Sequence, residues 1–176
     1  MNNSSEKKPC SQCQKPKATL TCGLCSDPIC KSCAEFISEE TFLFLNPKPK
    51  ELQHSSYCST CFSQQIVPLQ EKYEETLRRA KDILVFDITQ GKETRLIKRL
   101  EKPIVVEDCA DYDETVLRLA FIAADMGYNA IVDTDIKSKK IRSGSYQTSR
   151  FTGVAVPAQV SGDRLVKDRS IWQNPN

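Results

Sequence analysis

The first helical pattern of the chain begins near Gln65. Apolar side chains recur there every three or four residues, at Leu69, Tyr73, Leu77 and Ala80. Acidic residues precede basic residues along the polar faces, which is the order that the helix dipole favours. This pattern predicts an amphipathic helix over 65–81. Because the stretch is too short for several heptads, we expect a connecting helix rather than a coiled coil.

A second helix is predicted between Asp111 and Gly127. Asp111 is a favourable N-cap, and Glu114 three residues later completes a capping box. Gly127 stands where helices commonly end. The apolar positions cover more than one face, at Val116, Leu117, Leu119, Ala120, Phe121, Ala123, Ala124 and Met126. A helix this apolar is expected to be buried.

Short apolar and β-branched runs flank this second helix. Three of them are predicted to be strands, at 83–88, 129–136 and 150–156. A turn at Ser143-Gly144-Ser145 is predicted between the last two strands. A helical or irregular segment is expected to end before Pro103, and residues 103–106 read as extended. Together these elements predict an α+β domain over 82–158, with antiparallel strands and one main buried helix.

Residues 10–61 contain eight of the nine cysteines of the chain. They form four Cys-x-x-Cys pairs, namely Cys10/Cys13, Cys22/Cys25, Cys30/Cys33 and Cys58/Cys61. Two such pairs complete a closed four-cysteine zinc site, and an all-sulfur ligand set disfavours calcium and magnesium. A disulfide scaffold is disfavoured, because repeated Cys-x-x-Cys pairs are not typical of one in a chain of this length and the polar residues 1–9 do not resemble a signal peptide. An iron–sulfur cluster is disfavoured because such clusters use other cysteine spacings. Eight ligands therefore predict two Zn²⁺ ions per chain.

The pairs can share the two ions in two ways. Consecutive pairs would form two fingers in series, whereas alternate pairs would interleave. Only four residues separate Cys25 from Cys30, which favours interleaving. The ligands of the first zinc ion are then Cys10, Cys13, Cys30 and Cys33, and those of the second are Cys22, Cys25, Cys58 and Cys61.

The run from Cys22 to Cys33 resembles the cross-brace zinc fingers, which include FYVE, RING and type-1 B-box domains. This resemblance covers residues 10–61 and implies a small, treble-clef-like two-zinc fold. The sequence departs from a phosphoinositide-reading FYVE domain, because 17–21 contains no arginine and no histidine. It also departs from a RING ubiquitin ligase, which usually has a histidine ligand. His54 could substitute as a ligand, although eight cysteines already complete both sites.

The later part of the chain resembles the YbjQ-like heavy-metal-binding family. The matching segments are Ala-Asp-Met-Gly-Tyr-Asn-Ala-Ile-Val-Asp-Thr-Asp-Ile (124–136) and Phe-Thr-Gly-Val-Ala-Val (151–156). The resemblance implies a compact α+β domain that forms a ring-like homo-oligomer. Soft-metal chemistry is poorly supported within one chain, since Cys109 is the only cysteine of this region and no histidine accompanies it. Asp133 and Asp135 are expected on one strand face. Their carboxylates are expected to be solvated by water, and the alternative is that they bind a hard cation or a substrate.

Composition divides the chain into a tail (1–9), a finger (10–64), the connecting helix (65–81), the α+β domain (82–158) and a C-terminal tail (159–176). The first 64 residues carry seven Lys and six Asp or Glu. Eight thiolates and two Zn²⁺ ions bring this part to about −3, which does not suit phosphate binding, so nucleic acid is not an expected partner of the protein. A membrane surface is weakly supported, because only Lys48 and Lys50 flank the apolar residues 42–45.

Catalytic machinery is not evident in the sequence. His54 is the sole histidine, no glycine-rich phosphate loop is present, and a closed thiolate site has no position for a water molecule. We therefore expect a non-enzymatic, cytoplasmic zinc-binding adaptor. Its finger would bind a protein partner, and its α+β domain would oligomerise or recognise a ligand. The alternatives are a ubiquitin-ligase-like cofactor and a phosphoinositide-binding membrane adaptor.

Overall fold

The computed structural model describes residues 8–161, except residues 17, 39 and 145. The chain divides into two compact units, Met1–Glu74 and Glu75–Asn176. Most of the two predicted tails, including Trp172, lies outside the described residues.

The first unit contains very short strands, since the cysteine turns leave few residues between them. Strands β1 (Leu20–Thr21) and β2 (Pro28–Ile29) pair antiparallel, as do β3 (Ala34–Glu35) and β4 (Tyr57–Cys58). A 3₁₀ turn spans Lys50–Leu52. The largest buried apolar side chains of this unit are Ile29, Phe42, Leu52, Tyr57, Ile66 and Tyr73. This core is small, so the unit needs a further source of stability.

Helical structure starts directly at the last cysteine pair, six residues earlier than the periodicity predicts. Helix α1 (Ser59–Cys61) continues through a π-helical turn (Phe62–Ile66) into α2 (Val67–Lys81). The boundary between the two units falls within α2. Tyr73 packs its ring edge-on against Phe42, with the centroids 5.3 Å apart.

The second unit is built on a four-stranded sheet. Its strands are β5 (Leu84–Asp87), β6 (Ile104–Cys109), β7 (Ala130–Ser143) and β8 (Tyr146–Ala158), in the order β5-β7-β8-β6. Both pairings of β8 are antiparallel. The all-antiparallel prediction is nevertheless wrong, because β5 runs parallel to β7. Parallel neighbours need a long crossover, and the chain from residue 88 to 129 supplies it.

Helix α3 (Tyr112–Asp125) confirms the helix predicted after Asp111. The Asp111 carboxylate accepts a hydrogen bond from the Glu114 backbone N–H at 2.7 Å. The Glu114 side chain accepts from the Ala110 N–H at 2.6 Å, one residue before the position that a capping box predicts. Gly127 follows the helix with a φ of 87°, a conformation that glycine adopts without strain.

Both faces of the sheet contribute to the core of the second unit. On the α3 face, Gly153 of β8 lies so close to the helix that a Cβ there would stand 2.6 Å from Thr115 Cγ2. The buried residues of this face are Val106, Cys109, Leu119, Ala123, Ile131 and Ala155. A second cluster is formed by Ala130, Val132, Ala158 and Val160, against which Phe86, Ile97 and Val156 pack.

A β-bulge interrupts β7 between Val132 and Asp135. Asp133 has a φ of 53° there, in the left-handed region. An extra residue in one strand shifts the alternation of side chains, so the expectation of Asp133 and Asp135 on one regular face does not hold. Their carboxylates have separate cationic partners, Arg99 for Asp133 and Lys137 for Asp135.

Candidate metal centres

The four cysteines of the first predicted site meet at one point of the first unit. The Sγ atoms of Cys10, Cys13, Cys30 and Cys33 all lie within 4.8 Å of one another. A tight turn places the first pair, in which the Gln14 N–H donates to the Cys10 carbonyl at 2.9 Å. Strand β2 ends immediately before Cys30 and delivers the second pair.

The four cysteines of the second predicted site form an equivalent group. The Sγ atoms of Cys22, Cys25, Cys58 and Cys61 also lie within 4.8 Å of one another. Cys22 follows β1, and Cys58 is the N-cap residue of α1. Among the described residues these two tetrads are the groups of three or more potential ligands that can hold a metal ion.

The grouping is interleaved because the β1–β2 hairpin serves both tetrads. One strand of the hairpin leads into Cys22 and the other into Cys30, so the two ends supply different sites. Pairing of β3 with β4 then sets Ala34 opposite Cys58, which brings the last cysteine pair back to the hairpin. The alternate pairs that the four-residue gap favours are therefore the pairs that the fold brings together.

The sulfur spacing fits a tetrahedral zinc ion. A tetrahedron with Zn–S bonds of about 2.3 Å has S···S edges of about 3.8 Å. Cys13 and Cys30 place their sulfurs 3.7 Å apart, and Cys25 and Cys58 place theirs 3.8 Å apart. Both tetrads consist of sulfur alone, which suits Zn²⁺ and leaves no donor for a hard cation.

Backbone N–H groups point at several of the sulfurs. The Cys30 N–H donates to Cys10 Sγ at 3.3 Å, and the Cys61 N–H donates to Cys58 Sγ at 3.4 Å. Such donors favour the thiolate, which is the form that binds a metal. Ser32 Oγ lies 3.1 Å from Cys30 Sγ and adds a further polar contact at this sulfur.

The ionisation of the cysteines is unequal within each tetrad. The Ser32 hydroxyl, opposed by burial, lowers the pKa of Cys30 to about 6. Burial opposes ionisation of Cys22, yet backbone donors at Cys25, Cys58 and Leu24 lower its pKa to about 6. Hydrogen bonding to Cys30 and Cys13 raises the pKa of Cys33 to about 12.

In the second tetrad, Cys25 and Cys61 have raised pKa values, in contrast to Cys22. Burial, with hydrogen bonding to Cys58, raises the pKa of Cys61 to about 11, and burial also raises the pKa of Cys25. Four thiolates this close repel one another, so a tetrad without a cation keeps part of its protons. A divalent ion removes that repulsion, and binding to the tetrad therefore releases protons.

His54 stands outside both tetrads. Its ring instead covers the turn between Cys22 and Cys25, where a Cβ added to Gly23 would lie 2.2 Å from His54 Cγ. The Gly23 N–H donates to the Ser56 carbonyl at 2.9 Å, which ties this turn to the segment before β4. No role for Gly23 was predicted from the sequence, although a glycine inside a Cys-x-x-Cys turn signals a close approach of neighbouring atoms.

The remaining candidate residues do not assemble into a metal site. Cys109 is buried in the core of the second unit, with Sγ 3.7 Å from the Glu107 carbonyl. Asp133 and Asp135 are instead ion-paired with basic side chains. The role of Arg99 could not be predicted from the sequence, since no local pattern links it to Asp133 at a separation of 34 residues.

Comparison with protein-family models, curated proteins and solved structures finds no match to this chain. The structure shows a small α+β protein with two four-cysteine clusters, and each cluster can hold a metal ion. The resemblances to cross-brace fingers and to the YbjQ-like family remain interpretations of the sequence. Within the described part of the chain, no helix has the length and apolar character needed to cross a membrane.

Proposed function

We propose that this protein is a non-catalytic zinc-binding adaptor. The observation that carries the proposal is the pair of closed all-cysteine tetrads with sulfur spacings of 3.7 and 3.8 Å. Each tetrad supplies four ligands to one Zn²⁺ ion, so the protein binds two ions. With no open coordination position for water or substrate, the role of both ions is structural.

The zinc ions would supply stability that the first unit cannot obtain from its core. Its buried apolar residues are few and its strands are only two residues long. Structural zinc sites in domains of this size contribute most of the folding free energy. The zinc-loaded finger is then a rigid scaffold for a binding surface.

Two exposed side chains of the first unit support a protein-binding role for the finger. Phe36 is 57% exposed and Leu43 is 49% exposed. Large apolar side chains held in solvent by a rigid scaffold are typical anchors at protein interfaces. We propose that they contact a protein partner, and that the finger recruits this partner to the second unit.

The second unit would oligomerise through the edges of its sheet. Strands β5 and β6 are the two edge strands. Leu84 and Val85 on β5 and Val105 on β6 are exposed apolar residues. Unprotected edges of this kind favour pairing with another copy of the chain. An oligomer would cluster several fingers and raise their avidity for a partner.

Native mass spectrometry of the full chain, with and without a chelator, tests the metal and the assembly together. We expect two Zn²⁺ ions per chain and loss of both in excess chelator. Cys61→Ser should lose one ion, whereas the matched variant Cys109→Ala should keep two, because Cys109 lies outside both tetrads. Fewer than two ions in the unmodified protein would refute the two-site assignment.

The same spectra report the oligomeric state. We expect a mass of several chains, reduced to one chain by Val105→Lys, which places a charge on the β6 edge. A monomeric unmodified protein would refute oligomerisation and leave the zinc assignment untouched.

For the finger, Phe36→Ser with Leu43→Ser should abolish capture of the partner protein while preserving two bound Zn²⁺ ions. Retained capture would exclude this surface as the binding site.

A further inference from the structure

Strands β7 and β8 extend beyond the rest of the sheet as a two-stranded ribbon. Strand β5 pairs no further along β7 than Thr134, and β6 pairs no further along β8 than Phe151. Five cross-strand pairs, from Lys139 with Arg150 to Ser143 with Tyr146, therefore have no third strand from the described part of the chain beside them. At about 3.3 Å per residue this ribbon is about 15 Å long.

The charges of the ribbon all have one sign. Its cations are Lys139, Lys140, Arg142 and Arg150, and the sequence from residue 136 to 150 contains no Asp or Glu. All four are exposed, and the ion pairs found among the described residues include none of them. By contrast, Lys137 at the base of the ribbon pairs with Asp135 at 2.7 Å.

The positions of these cations make both faces of the ribbon basic. Lys139 and Arg150 are direct cross-strand partners and share one face. Lys140 and Arg142 are two residues apart, so they share the other face. Like charges placed directly opposite each other destabilise a ribbon. Cations that only protect a sheet edge need not stand directly opposite each other. An anion bound to the ribbon, by contrast, would offset the repulsion between Lys139 and Arg150.

From this geometry we propose that the ribbon binds the major groove of double-stranded DNA through the phosphate backbone. The major groove is about 12 Å wide and admits a two-stranded β-ribbon. Phosphates then line both sides of the ribbon, so the cations of both faces are used. A flat anionic membrane would meet only one face. The contacts are to phosphates, so binding is independent of base sequence.

The expectation that nucleic acid is not a partner of the protein does not extend to the ribbon. That expectation rests on the charge of residues 1–64 alone, whereas the ribbon belongs to the second unit. The deep and narrow major groove of double-stranded RNA excludes side chains, so the ribbon should discriminate against it. The inference thus adds a DNA-binding surface to the proposed adaptor, and it is independent of the identity of the bound metal.

Fluorescence anisotropy with a labelled duplex DNA of two helical turns, about 20 base pairs, tests the inference. Four phosphate contacts predict a slope of about −3.6 for log K against log salt concentration, which weakens binding about a hundredfold between about 50 and 200 mM salt. The triple variant Lys139→Gln, Lys140→Gln, Arg142→Gln should reduce the slope to about −1. The matched variant Lys81→Gln, Lys92→Gln, Lys98→Gln removes three exposed lysines of the same unit and should keep the full slope.

Four results would overturn the inference. They are no salt-dependent binding of the duplex, equal binding by the ribbon variant and the unmodified protein, equal binding of an RNA duplex of the same sequence, and capture by phosphatidylserine vesicles that duplex DNA does not compete away. Circular dichroism and the melting temperature of the second unit establish that the ribbon variant is folded. The three substituted side chains are exposed, so we expect both to be unchanged.

Discussion

The guanidinium group of Arg99 binds the carboxylate of Asp133, with Nη2 donating to Oδ1 at 2.7 Å. Arg99 also donates to the backbone carbonyls of Thr94 and Ile97, at 3.0 and 2.9 Å. One side chain thus ties the irregular segment 91–100 to the bulge of β7. Residues in the left-handed region persist where neighbouring contacts hold them, and Arg99 supplies those contacts for Asp133.

Replacing Arg99 with alanine should loosen this segment. We expect a loss of about 1–3 kcal/mol in the stability of the second unit, because charged hydrogen bonds to Asp133 and Thr94 disappear. Hydrogen exchange measured by mass spectrometry should accelerate over 91–100 and around the bulge. Arg95→Ala is the control, since Arg95 is exposed and belongs to the same segment. Equal exchange in both variants would rule out the anchoring role of Arg99.

The same ion pair should make the stability of the second unit dependent on pH. Hydrogen bonding by Arg99 lowers the pKa of Asp133, and burial opposes this only in part. A carboxylate with a lowered folded-state pKa stabilises the fold fully above its unfolded pKa of about 4, and the contribution is lost as the pH falls through the folded value.

Asp133→Asn removes this titration and serves as the comparison. The difference in melting temperature between the unmodified protein and Asp133→Asn should be constant above about pH 5 and shrink at more acidic pH. Melting is measured in excess chelator, so that proton release from the cysteine tetrads does not contribute. A difference that is independent of pH would show that Asp133 does not titrate with folding.

Gly23→Ala should weaken the second metal site. The added Cβ would collide with Cβ and Cγ of His54, at 2.3 and 2.2 Å, and the turn between Cys22 and Cys25 would have to move. Changes next to metal ligands commonly reduce affinity by about 10- to 100-fold. Competition with a chromogenic chelator should show one weakened ion and one unchanged ion.

Two further variants separate this collision from a general effect of alanine. The double variant Gly23→Ala, His54→Gly removes the colliding atoms and should recover affinity. Gly91→Ala should have no effect on metal binding, because the nearest atom to an added Cβ there is 3.9 Å away. Failure of the double variant to recover would point to backbone conformation rather than collision.

Gly153→Ala should push α3 away from β8. The added Cβ would lie 2.6 Å from Thr115 Cγ2 and 2.9 Å from Leu119 Cδ1, and overpacking of this kind costs about 1–3 kcal/mol. The urea midpoint of the second unit measures the loss. Thr115→Ser removes the colliding methyl group and keeps the 2.6 Å hydrogen bond to the Asp111 carbonyl, so it should partly restore the midpoint. An unchanged midpoint in Gly153→Ala would contradict the close packing.

Features governed by neighbouring residues were predictable from the sequence. A Cys-x-x-Cys turn chelates through residues three apart, and the four residues between Cys25 and Cys30 favour interleaved pairs over consecutive fingers. The structure brings together the interleaved tetrads that this spacing favours. The helix after Asp111 was predictable for the same reason, since its cap bonds Asp111 to Glu114 within one turn.

Features that join distant residues were decided by the tertiary structure. The pattern of residues 84–87 indicates a strand but not its partner, and β5 lies parallel to β7 because the crossover through β6 and α3 returns the chain to that edge. Likewise, Arg99 meets Asp133, and His54 covers Gly23, only after the chain has packed. Local spacing thus determined the candidate metal ligands and the helices. Strand direction, the bulge and its anchor depend on long-range packing, for which a single sequence carries no periodic signal.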